Sequence, residues 1–258
     1  MLMLIACTSP AGGREAAAPG EHQRLDSESR DTAYALIERA VQRMQLAGLD
    51  SSAVEFRFRE KFFRYQRDEG RYRYERWWTD TTSGERIHDV LDNEGVQRRI
   101  DGKPIELSDK QRRAYAAGVN SVIYFAFLPW ALLDDAVQAR YEGRDTIRGR
   151  PLDRIAVSFA AEGGGGDYED HFVYWFSPDG SSLPYLAYSE KGNKEPRFRE
   201  AYNGRLEGGV QVRDYRNYAV PQRGLAHAST MGERFEAGEL VLLSLIELRD
   251  VRRVPRVP

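Results

Sequence analysis

Two kinds of hydrophobic spacing alternate along this chain. Ala33, Leu36, Ile37, Ala40, Val41 and Met44 recur at the three-and-four spacing of one helical face, with Glu38, Arg39, Gln42 and Arg43 opposite. Asp31 suits the N-cap and Gly48 the stop. This predicts an amphipathic helix that needs a flat partner. Val54, Phe56 and Phe58 then alternate with Glu55, Arg57 and Arg59, and Tyr72 and Tyr74 alternate with Arg71, Arg73 and Glu75. Period two means one buried and one wet face of an antiparallel sheet. Arg67-Asp68-Glu69-Gly70, Asp92-Asn93-Glu94-Gly95 and Asp101-Gly102 read as turns, so the first half is a four-stranded meander ending with Glu85–Leu91 and Gly95–Ile100.

Leu107 to Val137 interrupts the strands. Ser108 can cap a helix beginning at Asp109. Past Gly118 the chain becomes very apolar, from Val122 to Leu133, and Pro129 must end or kink any helix there. The segment either fills the core or lines a cavity. Strands return at Gln138–Gly143, Leu152–Phe159, His171–Phe176, Leu183–Ser189, Arg197–Tyr202 and Val210–Tyr218, and Leu240–Arg249 reads as a last strand. Arg148-Gly149-Arg150-Pro151, Ser177-Pro178-Asp179-Gly180, Asn203-Gly204 and Glu207-Gly208-Gly209 read as the turns between them. The fold class is α+β, mainly β: a large curved antiparallel sheet of about ten to eleven strands, an unclosed half-barrel, packed on an N-terminal helix and a mid-chain helical insert.

Composition narrows the function classes. The net charge of -2 leaves no electrostatic footprint for nucleic acid. A single cysteine excludes an internal disulfide and a thiolate metal cluster. No apolar run approaches the roughly 20 residues that span a bilayer. No G-x-S-x-G, H-E-x-x-H or dinucleotide-binding glycine motif is present, and the four histidines are scattered in sequence, so the chain reads as non-catalytic, without cofactor. Of the lysines only Lys61, beside Phe62 and Phe63, has an apolar setting. An unrecognised hydrolase with paired carboxylates stays a minor alternative.

The cysteine itself is informative. Leu4-Ile5-Ala6-Cys7 resembles the lipobox of bacterial lipoproteins, in which the cysteine becomes acylated. The uncharged Met1 to Ala6 is shorter than a secretory signal, so a full signal would extend further upstream. The organisation expected is a truncated lipoprotein signal at 1–7, a disordered linker at 8–30 and one domain at 31–258, as a monomer. Acylated Cys7 would be the membrane partner. Thr8, where inner-membrane lipoproteins carry Asp, implies the outer membrane, with the domain facing the periplasm or the cell surface.

The whole pattern resembles the LolA/LolB-like lipoprotein-carrier superfamily. More closely, Asn120–Pro129 (NSVIYFAFLP), Gly163–Tyr174 (GGGGDYEDHFVY), Tyr185–Tyr188 (YLAY) and Phe198–Asn203 (FREAYN) are similar to a family of uncharacterised outer-membrane lipoproteins of Bacteroidota type. The resemblance implies a concave apolar face covered by helices, binding a lipid or lipoprotein acyl chain. The cavity residues it suggests are Tyr124, Phe125, Phe127, Trp130, Trp175 and Tyr188. The alternative is an envelope scaffold whose core is filled.

Two further constellations stand out. Asp167, Glu169 and Asp170, after four glycines, offer oxygen ligands for a cation, or simply a solvated hairpin loop. Arg197 and Arg199 share a strand face, beside Glu200, and either pair with those acids, meet a headgroup, or simply form an exposed ion-paired face.

Overall fold

The computed structural model describes residues 19–68, 70–160, 170–189, 195–221 and 226–257, with side chains from residue 26 onward. Helix α1 spans Pro19–Arg43. It starts well before Asp31, so residues 19–30 are helical rather than linker. Proline is favoured in a first turn, and the chain has neither Gly nor Pro between Gly20 and Gly48 to stop the helix. Its buried face is the one the spacing predicts, from Ala33 to Met44. Tyr34 and Ser29 tie it down by donating from their hydroxyls to the carbonyls of Val137 (2.6 Å) and Tyr141 (2.8 Å).

Among the described residues fourteen strands follow rather than ten or eleven. The first group is β1 (Ala53–Phe58), β2 (Lys61–Asp68), β3 (Arg71–Thr79), β4 (Arg86–Asp92), β5 (Gly95–Ile100) and the short β6 (Lys103–Pro104). The β1–β2 hairpin turns on Arg59 and Glu60, with Arg59 at φ 55°, and lacks the Gly or Asn that usually announces such a turn. Helix α2 (Asp109–Ala126) carries the capping box at Ser108 and Gln111 and stops ahead of Pro129. The second group is β7 (Val137–Ile147), β8 (Arg150–Phe159), β9 (His171–Phe176), β10 (Tyr185–Ser189), β11 (Arg197–Glu207) and β12 (Val210–Ala219). Asn203-Gly204 is not a turn but a bulge inside β11, where the register to β12 shifts. Helix α3 (Met231–Glu236), β13 (Val241–Ile246) and β14 (Leu248–Val254) close the chain.

The strands form two seven-stranded antiparallel sheets, in the orders β14-β1-β2-β3-β4-β5-β6 and β13-β12-β11-β10-β9-β8-β7. Only Glu247 separates β13 from β14, so one stretch of chain leaves the second sheet and enters the first. The two sheets thereby make one bent surface with free ends at β6 and β7, a half-barrel that does not close. At the bend, side chains replace the missing ladder bonds. Asp214 Oδ1 accepts from the Leu248 N–H (3.0 Å) and Glu207 Oε1 from the Val251 N–H (2.9 Å). Arg205 holds both carboxylates, at 3.0 Å from Asp214 and 2.8 Å from Glu207.

Two cores result. The main one fills the concave side, between the sheets and α1 and α2. The smaller one lies on the opposite face of β9–β11, under α3, around Trp175, Phe198 and Phe235.

Candidate functional site

The concave face beneath α2 is the site the sequence points to. β9 places Phe172 and Tyr174 on it, β10 contributes Tyr188 and β11 Arg199, by alternation. From above, α2 contributes Tyr124 and Phe125. Their rings form a connected aromatic group: Phe125 lies 5.2 Å from Tyr188 and Tyr124 lies 5.9 Å from Phe172, centre to centre. The Tyr124 and Tyr174 hydroxyls are 2.6 Å apart. Burial pushes the Tyr174 phenol well above its ordinary pKa, so it stays neutral.

The other expected cavity residues fall elsewhere. Phe127 and Trp130 belong to a neighbouring aromatic group against the first sheet, with Tyr65 at 4.8 and 5.6 Å. Trp175 faces the opposite side of β9 altogether. It is fully buried under α3, donates from Nε1 to Asp145 Oδ2 (2.8 Å), and fits only because residue 232 is glycine: a Cβ there would lie 2.9 Å from Trp175 Cζ2. Both faces of β9 are covered, so an apolar side chain on it does not reveal which core it joins.

The covering helix is lightly seated. Of the eighteen residues of α2 only Val119 and Ile123 are buried, whereas α1 buries five apolar side chains in the same concavity. At its N-terminal half α2 meets a charged cluster. Asp89, wholly buried, accepts from Arg76 (3.0 Å) and Arg98 (2.6 Å), and Arg98 stacks on Tyr115 at 3.4 Å. Lys61 stands 3.8 Å over Trp78 at the rim. Beneath α2, buried and half-buried side chains pack into one apolar cluster.

Arg199 is the residue whose place matters most. It turns inward, 8% exposed, with its Nη2 donating to the Tyr188 hydroxyl (3.0 Å) and its guanidinium 3.7 Å from the Phe125 ring centre. Arg197 instead pairs with Glu195 at 3.6 Å. Sequence reasoning missed Arg213, also 8% exposed, whose Nη2 reaches Met44 Sδ at 3.8 Å. Its place in the β12 alternation was the available signal.

Two clefts lie outside the concavity. One, about 380 Å³, is the polar notch at the sheet bend, around Arg205, Asp214 and Glu247. The other, about 580 Å³, lies on the convex face around Phe62, Trp77, Glu75 and His88. Cys7, Asp167 and Glu169 lie outside the described residues, and Asp170 is buried at the start of β9. Although far apart in sequence, His171 and His227 come together, with ring centres 5.1 Å apart. Among the described residues no three metal-ligating side chains converge.

Residues 47–248 match the model of a family of unknown function, DUF6503. The chain belongs to that family. The DUF6503 match takes in both sheets to the bend, α2, the aromatic group and both buried arginines, and begins after α1. No curated protein matches the sequence. Among solved structures, the chain is similar to the LolA superfamily protein NE2245 from Nitrosomonas europaea, at TM-score 0.50 and 12% identity over 88% of this chain and 94% of that one. A DUF1329 family protein from Desulfovibrio piger follows at TM-score 0.39 and 11% identity, covering 85% and 92%. The lipoprotein LppX from Mycobacterium tuberculosis reaches 0.28 and 13%, covering 63% and 90%. The first of these shows that this DUF6503 chain has the LolA-like fold; the other two add nothing to that.

Proposed function

We propose that this protein binds a lipid or acyl chain between α2 and the concave face, and that the packed arrangement of α2 is its ligand-free, closed form. The observation that carries this is the contrast between the two helices: α1 is anchored by five fully buried apolar side chains, whereas α2 has two, most of its other apolar side chains being half-buried over a face rich in aromatic rings. A lightly held helix over an apolar concavity is the element expected to open. Magnitudes favour opening. Exposing Val119 and Ile123 costs about 3–6 kcal/mol together, whereas each buried methylene of an entering chain contributes about 0.8 kcal/mol. A chain of roughly ten methylenes outweighs the exposure of those two side chains. The LolA-like fold supports the same reading.

The lipobox at Cys7 supports an acylated N-terminus holding the domain at the outer membrane. The packed interior favours a second reading, a scaffold that uses its outer surface. Titration of delipidated full-length protein with a fluorescent fatty acid, combined with hydrogen exchange, separates the two. We expect saturable binding with one chain per protein, and α2 amides that exchange faster than those of α1 and slow on binding. An absence of saturable binding, with α2 as protected as α1, would sink the lipid reading. Mass spectrometry of protein purified from membranes tests acylation: an unmodified Cys7 rules it out.

A further inference from the structure

Arg199 and Arg213 are both more than nine-tenths buried on the concave side of the second sheet, and neither has a carboxylate partner among the described residues. Arg199 Nε and Arg213 Nη1 have no hydrogen-bond partner among the described residues. Tyr215 stands between them on β12: burial pushes its phenol pKa up, and the charges of Arg213 and Arg199 oppose that push. The other neighbours are hydroxyls, an amide and a thioether: Tyr188, Tyr174, Asn217 and Met44. Arginine cannot shed its proton to escape burial. Two unpaired guanidinium groups in a low-dielectric interior are costly. The rings of Phe125 and Tyr188 offset part of the cost for Arg199, and a side-chain hydrogen bond with the neutral Tyr215 offsets part of it for Arg213. The other buried cations of the concave side, Arg76 and Arg98, share the carboxylate of Asp89.

We infer that Arg199 and Arg213 form the anion site of the ligand pocket, taking the carboxylate or phosphate oxygens of an anionic amphiphile whose chain lies under α2. The inference rests on the acyl-chain reading and adds its headgroup. Phe125 connects the two. It sits on Arg199 from the C-terminal turn of α2, so the displacement that admits a chain also uncovers the first guanidinium. The tyrosine hydroxyls around it complete a set of donors in which no group repels an anion.

The test uses delipidated full-length protein, titrated separately with oleate, oleyl alcohol, oleoyl lysophosphatidate and inorganic phosphate, together with Arg199→Met and Arg213→Met. Wild type should bind oleate at least about 10-fold more tightly than oleyl alcohol. Each substitution should weaken oleate about 10- to 100-fold and leave oleyl alcohol within about 2-fold. Both variants should melt at or above the wild-type temperature without ligand, because an unpaired buried charge has been removed. The ratio of lysophosphatidate to oleate affinity tells a phosphate headgroup from a carboxylate. Equal binding of oleate and oleyl alcohol by wild type, unchanged oleate binding by the variants, or variants that melt well below wild type would each overturn the anion site. If neither chain binds, the acyl-chain reading fails. The anion site then stands only if inorganic phosphate binds wild type and not the variants.

Discussion

The guanidinium of Arg199 on β11 lies 3.7 Å from the centre of the Phe125 ring on α2. This contact joins α2 to the floor of the concavity, and among the described residues Arg199 has no carboxylate partner. Phe125 is only half-buried, whereas Phe127, two residues on, is 1% exposed and wedged between Phe56 and Tyr65. The two should therefore behave differently. Phe127→Ala should cost about 3–5 kcal/mol, and Phe125→Ala about 1–3 kcal/mol, in urea unfolding. Only Phe125→Ala should speed the association of a fluorescent fatty acid, because it loosens α2 without emptying the core. Equal destabilisation by the two substitutions would contradict the lid assignment.

Trp175 belongs to the other core. Trp175→Phe removes the bond to Asp145 and part of the indole volume, and should cost about 2–4 kcal/mol by thermal or urea unfolding. Ligand affinity, measured on the same variant, should not change.

The bend between the sheets depends on a backbone approach. Gly208 has φ 55°, and a Cβ on it would collide with the Val251 carbonyl and come within 2.5 Å of Arg252 Cα. Neither obstacle is a flexible side-chain tip. Gly208→Ala should cost more than about 2 kcal/mol. By the same logic Asp214→Ala leaves the Leu248 N–H and Arg205 without their shared acceptor, and should cost about 1–3 kcal/mol. A stable Gly208→Ala protein with unchanged melting temperature would show that β14 is not held where we place it.

Asp89 is wholly buried between Arg76 and Arg98. Asp89→Asn would leave two cations sharing a neutral amide and should cost about 3–5 kcal/mol. The loss should be read by chemical denaturation at neutral pH.

Glu75 makes stability depend on acid. Burial would raise its pKa, but hydrogen bonds from His88 and Arg73 outweigh burial and hold it at about 2. A carboxylate depressed in the folded state adds stability above its unfolded pKa, and that stability is lost as pH falls towards the folded value. The contribution, up to about 3 kcal/mol, should therefore disappear between roughly pH 4.5 and 2. Glu75→Gln should flatten this limb of the stability–pH curve; an unchanged limb would assign it to other carboxylates.

Much of the fold was legible in the residues. The face of α1 from Ala33 to Met44, the capping box at Ser108 and the alternation of β1 to β5 follow from local spacing and local hydrogen bonds. Three features were not. The β1–β2 turn at Arg59-Glu60 uses a residue type that only rarely takes positive φ. Asn203-Gly204 carries a turn signature but sits in a bulge, because β12 pairs with β11 on both sides of it. Glu247 looks like any strand residue, yet the chain changes sheets there, since its neighbours pair with β12 on one side and β1 on the other.

The candidate site divides in the same way. Tyr124, Phe125 and Tyr188 were identifiable as apolar residues beside a proline-terminated helix and in an alternating strand. Which of them meet was decided by cross-strand register and by the seating of α2, both of which are long-range. Trp175 and Tyr174 are adjacent in sequence and lie in different cores. Arg197 and Arg199 share a strand face, yet Arg199 is buried under Phe125 and Arg197 is pinned by Glu195.

From its residues alone, the chain determines which segments are helix or strand, and that one face of each must be buried, because these depend on contacts a few residues apart. The tertiary structure alone decided that two arginines would be enclosed with no counter-charge among the described residues. A guanidinium is as soluble as any other until distant strands and a helix remove the water around it.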